Sequence, residues 1–385
     1  MKVKENSIFF EIGYFLLFLS LFFGDIGIDL EFISSILRYG AYICLMVQLF
    51  SKNWKTMWVI ECGIALVASI IFWVITKDLY WSVITLTIFC SEAIDKESLL
   101  RKSFWYIIIY TGVVLLLCIF GIVPDIISTR SGILENSSEL RRHSLGFIHS
   151  NVFPLLILYL EMYYVWINNK KAKNIVLLFF VLLQIIVYGI CNSRNSLILS
   201  ILLTIFSIMG KHRIFKGWFT KIFRMIDPVL VLFLSCFSFL VMFGLPYGGI
   251  WDKVDSIFSG RFRLGIFKIR AVGIHFITFL SNKEYFRDGI VLDNGYIYVA
   301  LRYGICILLF FVIINYLLVK KNKDNYYALV VIFIVFIANL IDNDLADYCF
   351  LPFILIAFDF IANNSEVKKR RKKRDGNGSS SDFYI

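Results

Sequence analysis

The chain has 385 residues, 59% of them hydrophobic and 17% charged, with a formal net charge of +11. Soluble domains are about half apolar at most, so this composition excludes a soluble globular protein and indicates an integral membrane protein. Twelve spans of about 20 residues would use roughly 240 positions, which leaves no length for a separate soluble domain.

Apolar runs follow one another along almost the whole chain, and runs of this length are helices because backbone polar groups must be paired inside lipid. They lie at about 8–28, 32–50, 57–75, 79–94, 104–123, 151–167, 174–190, 197–210, 228–246, 296–318, 327–341 and 348–362. The first run contains Glu11 and lacks a cleavage site, so it is predicted to be a retained span. The predicted fold is an all-α polytopic membrane protein with about twelve transmembrane helices in one domain over 1–363.

The connections between these runs alternate in charge. Lysine-rich connections fall on one side of the predicted membrane: Lys52/Lys55, Lys96/Arg101/Lys102, Lys170/Lys171/Lys173, Lys211 to Arg224, and Lys320/Lys321/Lys323. The positive-inside rule makes that side cytoplasmic and places both termini there. The two longest connections, 124–150 and 247–295, are therefore predicted to lie outside, the second between helices 9 and 10. The polybasic tail, 364–385, is predicted to be cytoplasmic and to touch anionic lipid headgroups.

Arginine and lysine are distributed differently between the two predicted sides. The inside carries 19 Lys and 6 Arg, whereas the outside carries 4 Lys and 9 Arg. The positive-inside rule requires positive charge on the cytoplasmic side and does not distinguish arginine from lysine. It therefore does not explain why arginine outnumbers lysine on the predicted outer side. Arginine presents a planar fork of donors that suits phosphate and carboxylate groups. The pattern favours an outer site for a phosphate-type anion, although single arginines at helix ends also snorkel to headgroups.

Two stretches concentrate this signal. Arg194 stands in CNSRNSL, at a tight outer turn between two apolar spans, where charge is costly and usually functional. In SGRFRLGIFKIR, helical spacing aligns Arg261 with Lys268 and turns Arg263 and Arg270 nearly opposite. Either the helix begins after Arg263, or the two sets of cations serve different surfaces.

Candidate catalytic groups flank these arginines. RRHSLGFIHSN places His149 and Asn151 at the outer surface near Arg141, although an interfacial histidine is more often structural. Asp293 and Asn294 precede the tenth span, where a carboxylate also suits the helix dipole. A second acidic cluster, LIDNDLADY, is interpreted first as a turn. The eight cysteines fall singly, without CxxC or Cys/His spacing, so we expect neither disulfides nor a metal site.

On four of these stretches the sequence resembles the Wzy-type polysaccharide polymerases of bacteria and, more distantly, the O-antigen ligases. The stretches are GFIHSN, NSRNS, SGRFRLG and DNGYIYVALRYG. The resemblance implies a GT-C-like membrane glycosyltransferase that joins repeat units carried on undecaprenyl pyrophosphate at the outer face of the plasma membrane. It implies no metal, nucleotide or other cofactor, and the product would be O-antigen, capsule or exopolysaccharide. Ligases commonly show His-Asn where this chain has Asp293-Asn294, which favours a polymerase.

The resemblance also assigns roles to residues. It implies that arginines bind pyrophosphate, which carries over to Arg194 and Arg261 and then to Arg141 and Arg263. From the chemistry, Asp293 and His149 are the candidate bases on the correct side. Asn151, Asn294 and Tyr296 are predicted to bind or orient sugar. The implied partners are the lipid-linked oligosaccharide, membrane lipids, a flippase and a chain-length regulator, and not nucleic acid.

Two other classes of function remain open. A flippase for lipid-linked oligosaccharides, or another twelve-helix transporter of an anion, shares the predicted topology. Transporters place ionisable groups near the midplane on broken helices, often in two similar halves, whereas here the cations concentrate in outer loops. A sensor or scaffold would need an output domain, and the cytoplasmic tail is too short to be one.

Overall fold

The computed structural model describes residues 8–51, 56–77, 79–91, 94–130, 140–258, 260–280, 282–287, 289–290, 292–343 and 349–358. The predicted tail and two aspartates of the acidic turn, Asp344 and Asp347, lie outside these residues. Over the described residues the chain is almost entirely helical.

The first half contains seven helices and one short antiparallel hairpin. In chain order these elements are α1 (Ile8–Phe23), α2 (Glu31–Phe50), α3 (Thr56–Thr76), α4 (Leu79–Cys90), α5 (Lys96–Ile119), β1 (Ile127–Arg130), β2 (Leu140–His143), α6 (Val152–Asn168) and α7 (Asn174–Cys191). The hairpin pairs Ile127 with His143 and Thr129 with Arg141. It lies in the loop predicted at 124–150, so the all-α prediction missed this small sheet.

The second half contains long helices interrupted by short ones. They are α8 (Arg194–Met209), α9 (Arg213–Gly244), α10 (Ile250–Ile257), α11 (Arg261–Val272), α12 (Asn282–Tyr285), α13 (Gly295–Arg302), α14 (Ile305–Asn322), α15 (Tyr326–Ala338) and α16 (Leu351–Phe358). The prediction of one continuous tenth span is wrong, because the chain breaks between α13 and α14. Gly304 lies immediately before α14 and adopts φ +99°, a backbone conformation that residues with a side chain rarely adopt.

Among the described residues, five helices are long and apolar enough to cross a membrane: Glu31–Phe50, Glu97–Ile119, Asn174–Cys191, Arg213–Tyr247 and Ile305–Asn322. Shorter apolar helices accompany them, so the chain is a helical, multi-pass membrane protein. Two helices, α6 and α15, are buried over nearly their whole length and form the centre of the bundle. Buried polar contacts also join helices, as between Tyr14 and Ser103 at 2.6 Å, which suits an apolar solvent.

The helix ends gather at two opposite ends of the bundle. We call the first the hairpin end, because β1 and β2 lie there beside the end of α1: the amide of Gly27 donates to the carbonyl of Gly146. Tight contacts also join the lysine-rich connections at the opposite end. There Lys211 donates to the carbonyl of Ala172, and Arg224 pairs with Asp324 at 2.7 Å.

Candidate functional site

The start of α11 decides which basic residues of the 259–270 stretch face the protein. Gly260 precedes the helix with φ +78°, so α11 begins at Arg261 and its period runs through the whole stretch. Arg261 and Lys268 are buried, whereas Arg263 and Arg270 are exposed. The two sets therefore serve different surfaces, which settles the alternative left open by the sequence.

Arg261 is only 8% exposed and contacts two carboxylates. Its Nε lies 3.4 Å from Oδ2 of Asp293, just before α13, and its Nη1 lies 3.4 Å from Oδ1 of Asp342, just after α15. Three separate segments thus meet at one guanidinium. Two different nitrogens serve the two carboxylates, a geometry that a single ammonium does not offer.

A second arginine reaches the same place from the hairpin. Arg142 donates from Nε to the carbonyl of Cys191 at 3.1 Å, and from Nη2 to Oδ1 of Asn151. Asn151 in turn donates from Nδ2 to Oδ1 of Asp342 at 3.4 Å. We call Arg142, Asn151, Arg261, Asp293 and Asp342 the arginine–aspartate cluster. Asp342 is its shared member, since both Asn151 and Arg261 donate to the same oxygen.

The electrostatics of the cluster follow from its burial. Burial raises the pKa of Asp342 to about 6, and Asp293 adds to this, while Arg261 and Arg142 act in the opposite direction. Burial and the nearby charge of Arg261 lower the pKa of the Arg142 guanidinium. Two cations thus face two carboxylates in a partly dry site. Protonation of Asp342 below about pH 6 would leave the site with a net positive charge, which suits an anion.

The cluster unites three of the predicted site residues: Asn151, Arg261 and Asp293. Two further residues flank it. Arg194 is exposed at the first position of α8, three residues beyond the carbonyl that accepts from Arg142, and His149 is exposed just before Asn151.

Two predicted pyrophosphate ligands lie outside the cluster. Arg263 turns away from the cluster and pairs with Asp252 at 2.8 Å and with Asp255 at 3.7 Å. Arg141 precedes Arg142 on strand β2, and successive strand residues point to opposite faces. Because Arg142 reaches the cluster, Arg141 projects to the exposed side.

Two predicted sugar-binding residues are instead part of the core. Asn294 is 1% exposed; its Oδ1 accepts from the amide of Ile297, and its Nδ2 donates to Ser238 and to the carbonyl of Leu340. Tyr296 is fully buried, and its hydroxyl donates to the carbonyl of Phe336 at 2.6 Å. Both side chains join helices inside the core, and the structure does not bring them into the arginine–aspartate cluster.

The sequence did not single out Arg142 or Asp342 as site residues. Arg142 is one of nine arginines that the sequence predicts to lie outside, and strand alternation in RRH separates it from Arg141 only once the hairpin is known. Asp342 was interpreted as part of a turn. It lies 81 residues from Arg261, and no local pattern indicates that the two meet.

A histidine–aspartate pair anchors the hairpin beside the cluster. Nδ1 of His143 lies 2.5 Å from Oδ2 of Asp125, while Oδ1 of Asp125 accepts from the amides of Ser144 and Leu145. Burial raises the pKa of Asp125, but the hydrogen bonds and charge of His143 and the two amides outweigh it, so the pKa falls below its usual value. Because His143 follows Arg142 on the strand, the pair lies on the other face.

The fold and this cluster together define a helical, multi-pass membrane protein with a charged site at one end of its bundle. No protein-family model matches the chain, no curated protein matches it, and no solved structure matches it. Within the described part of the chain, no three His, Cys, Asp or Glu side chains group in a way that could hold a metal ion.

Proposed function

We propose that the chain is a glycosyltransferase that polymerises oligosaccharide repeat units carried on undecaprenyl pyrophosphate. The observation that carries the proposal is the convergence of Arg142 and Arg261 on Asp293 and Asp342 at the hairpin end of an apolar bundle. A lipid-linked pyrophosphate has its anionic group at the membrane surface, beside its apolar chain. A partly buried pair of guanidinium groups at the end of a membrane bundle matches that arrangement.

The proposed reaction needs a stabilised leaving group and a proton acceptor. The acceptor hydroxyl oxygen attacks the anomeric carbon of the donor sugar, and the bond from that carbon to the pyrophosphate oxygen breaks. Arg142 and Arg261 would stabilise the charge that develops on the pyrophosphate. The bound pyrophosphate would also replace Asp293 at Arg261. Asp293, whose side chain is 44% exposed, would then be free to accept the hydroxyl proton.

The proposal includes an orientation in the membrane. The lysine-rich connections lie at the end opposite the cluster, so the positive-inside rule turns the hairpin end outward and both termini inward. We take the membrane to be a bacterial plasma membrane, with about twelve spans. No nucleotide sugar is available outside the cell, so the donor must arrive with its own leaving group, and a flippase that delivers it is the expected partner.

The test is a reaction with purified protein. The lipid-pyrophosphate-linked repeat unit of the source organism is mixed with the protein in the presence of a chelator and without nucleotide, and the products are separated on a gel. A ladder spaced by one repeat unit is expected. Substrate that stays intact under conditions where the protein is folded would count against polymerisation.

One observation favours the flippase or transporter as a second candidate. The break between α13 and α14 leaves two helix ends meeting at Gly304, and buried Arg302 lies beside it. Discontinuous helices of this kind often form transport sites. Proteoliposomes loaded with the same substrate distinguish the candidates, because a flippase moves intact substrate across the bilayer, whereas a polymerase lengthens it.

A further inference from the structure

A second buried polar site lies where α9 packs against α14, far along the bundle from the arginine–aspartate cluster. Asp227 of α9 is fully buried, and neither oxygen of its carboxylate forms a hydrogen bond or ion pair with the described residues. One turn earlier in α9, Arg224 pairs with Asp324 at the lysine-rich end of the bundle, opposite the hairpin end. Asp227 therefore lies inside the bundle, near its lysine-rich end.

Asn315 of α14 adds a further oxygen to this site. It is fully buried, and its Nδ2 donates to the main-chain oxygen of Asp227, so the two residues are in direct contact. Its Oδ1 has no partner among the described residues. The Asp227 carboxylate and the Asn315 amide thus carry three buried acceptor oxygens that have no donor among the described residues.

The backbone of α9 supplies another acceptor. Pro228 lies inside the helix and has no N–H, so the main-chain oxygen of Arg224 loses the donor that a regular helix would provide. This oxygen lies one turn from Asp227. The one donor at the site, Nδ2 of Asn315, is already used on the main-chain oxygen of Asp227, so the oxygens without a donor outnumber the donors there. Unpaired polar groups are costly in such an apolar region.

The charge of Asp227 and the number of oxygens around it indicate what kind of cation would bind there. A buried carboxylate without a partner is strongly unfavourable, so it must be neutralised. A proton would supply a single donor, whereas a metal cation binds several oxygens at once. One carboxylate balances one positive charge, and a divalent ion would leave the apolar site charged. We propose that Asp227 and Asn315, with the main-chain oxygen freed by Pro228, bind one monovalent cation of the Na⁺ type.

This inference goes beyond the proposed function and does not rest on it. A cation bound only by the folded protein stabilises it by mass action, by an amount that grows with the logarithm of the cation concentration above its Kd. The thermal stability of the protein is therefore expected to depend on Na⁺ specifically, and not only on ionic strength.

The experiment follows thermal unfolding of the purified full chain in detergent. NaCl replaces choline chloride stepwise at constant ionic strength and pH, and Tm is expected to rise by several degrees. In Asp227→Asn, which keeps the shape but removes the charge, the Na⁺-dependent rise is expected to disappear. Glu161→Gln is the matched control, because Glu161 is equally buried but its oxygens accept from Ser200 and Thr204. This control should keep the rise.

Three results would overturn the proposal. The first is an equal Tm of the wild-type protein in Na⁺ and choline. The second is a rise that persists in Asp227→Asn. The third is a Tm that follows pH but ignores Na⁺, which would mark Asp227 as a protonated acid. If Asp227→Asn does not fold, binding of radioactive Na⁺ to the wild-type protein decides the question: displacement by unlabelled Na⁺ supports the site, and absence of binding rejects it.

Discussion

Arg261 joins three segments through one planar group, and its two contacts use different nitrogens. In Arg261→Lys, one ammonium nitrogen replaces the two separate nitrogens that contact Asp293 and Asp342, so the planar two-point geometry for a pyrophosphate is lost. We expect polymer formation to slow by about tenfold or more, since a charge-assisted hydrogen bond contributes roughly 1.5–3 kcal/mol. The measurement is the initial rate of ladder formation by the purified protein.

The matched control for this prediction is Arg263→Lys. Arg263 belongs to the same helix but is exposed and pairs with Asp252 on another surface. Its replacement by lysine should leave the rate of ladder formation within about twofold of the wild-type rate, because exposed ion pairs contribute little free energy. Equal rates for both variants would remove Arg261 from the pyrophosphate site.

Asp342 makes stability depend on pH. Its pKa is about 6 in the folded protein and 3.8 ordinarily, so the folded state binds the proton more tightly. Stability is therefore expected to fall as the pH rises from about 4 to above 6. The free energy of unfolding of the wild-type protein should drop relative to Asp342→Asn by about 3 kcal/mol over that range. Denaturant titrations of both proteins in detergent at several pH values measure this drop. A difference in the free energy of unfolding that does not change with pH would contradict a raised pKa for Asp342.

At the scale of elements, the hairpin depends on one carboxylate. In Asp125→Ala, His143 and the amides of Ser144 and Leu145 lose their acceptor, which should destabilise the hairpin by about 1–3 kcal/mol. Hydrogen exchange over 126–145 should become faster. Asp125→Asn keeps one oxygen for the amides and should have a smaller effect.

The pH dependence of the hairpin has a defined sign. The contacts of Asp125 lower its pKa below 3.8, so their stabilisation is complete above about pH 4 and fades as the pH falls below it. Exchange at this hairpin that is equally slow in wild type and Asp125→Ala would show that other contacts hold it.

The break between α13 and α14 requires a glycine at position 304. A Cβ at Gly304 would lie 2.6 Å from the main-chain oxygen of Phe276, and the positive φ adds strain. Gly304→Ala is therefore expected to destabilise the protein by about 1–3 kcal/mol or more, measured as a lower Tm. Gly189→Ala in α7 is the control, since nothing lies within 4 Å of a Cβ there, and it should be neutral or slightly stabilising. An unchanged Tm for Gly304→Ala would mean that α13 and α14 can shift to accommodate the side chain.

At the scale of the whole molecule, the proposed orientation can be tested directly. An epitope inserted after Gly248 would lie at the hairpin end, and one after Lys170 at the opposite end. Antibody should reach the first in intact spheroplasts and the second only after permeabilisation, because the positive-inside rule predicts that the lysine-rich end faces the cytoplasm. The reverse labelling would place the arginine–aspartate cluster inside the cell and exclude the proposed reaction.

Much of the local architecture could be predicted because it depends on neighbouring residues. The apolar run at 174–190 became α7, Asn174–Cys191, within one residue. Helical spacing correctly separated Arg261 and Lys268 from Arg263 and Arg270. A 3.6-residue period and a run of apolar side chains are properties of a short segment, so the sequence by itself determines them.

The composition of the site was decided only by the tertiary structure. Asp342 meets Arg261 across 81 residues, and Arg142 reaches Asn151 only because the hairpin turns its side chain inward. The same packing buries Asn294 and Tyr296, whose motif had suggested a ligand site. Which polar side chains line a site and which hold the core depends on how distant helices come together. That choice is a balance of packing and hydrogen bonding across the whole bundle, and no short stretch of sequence contains it.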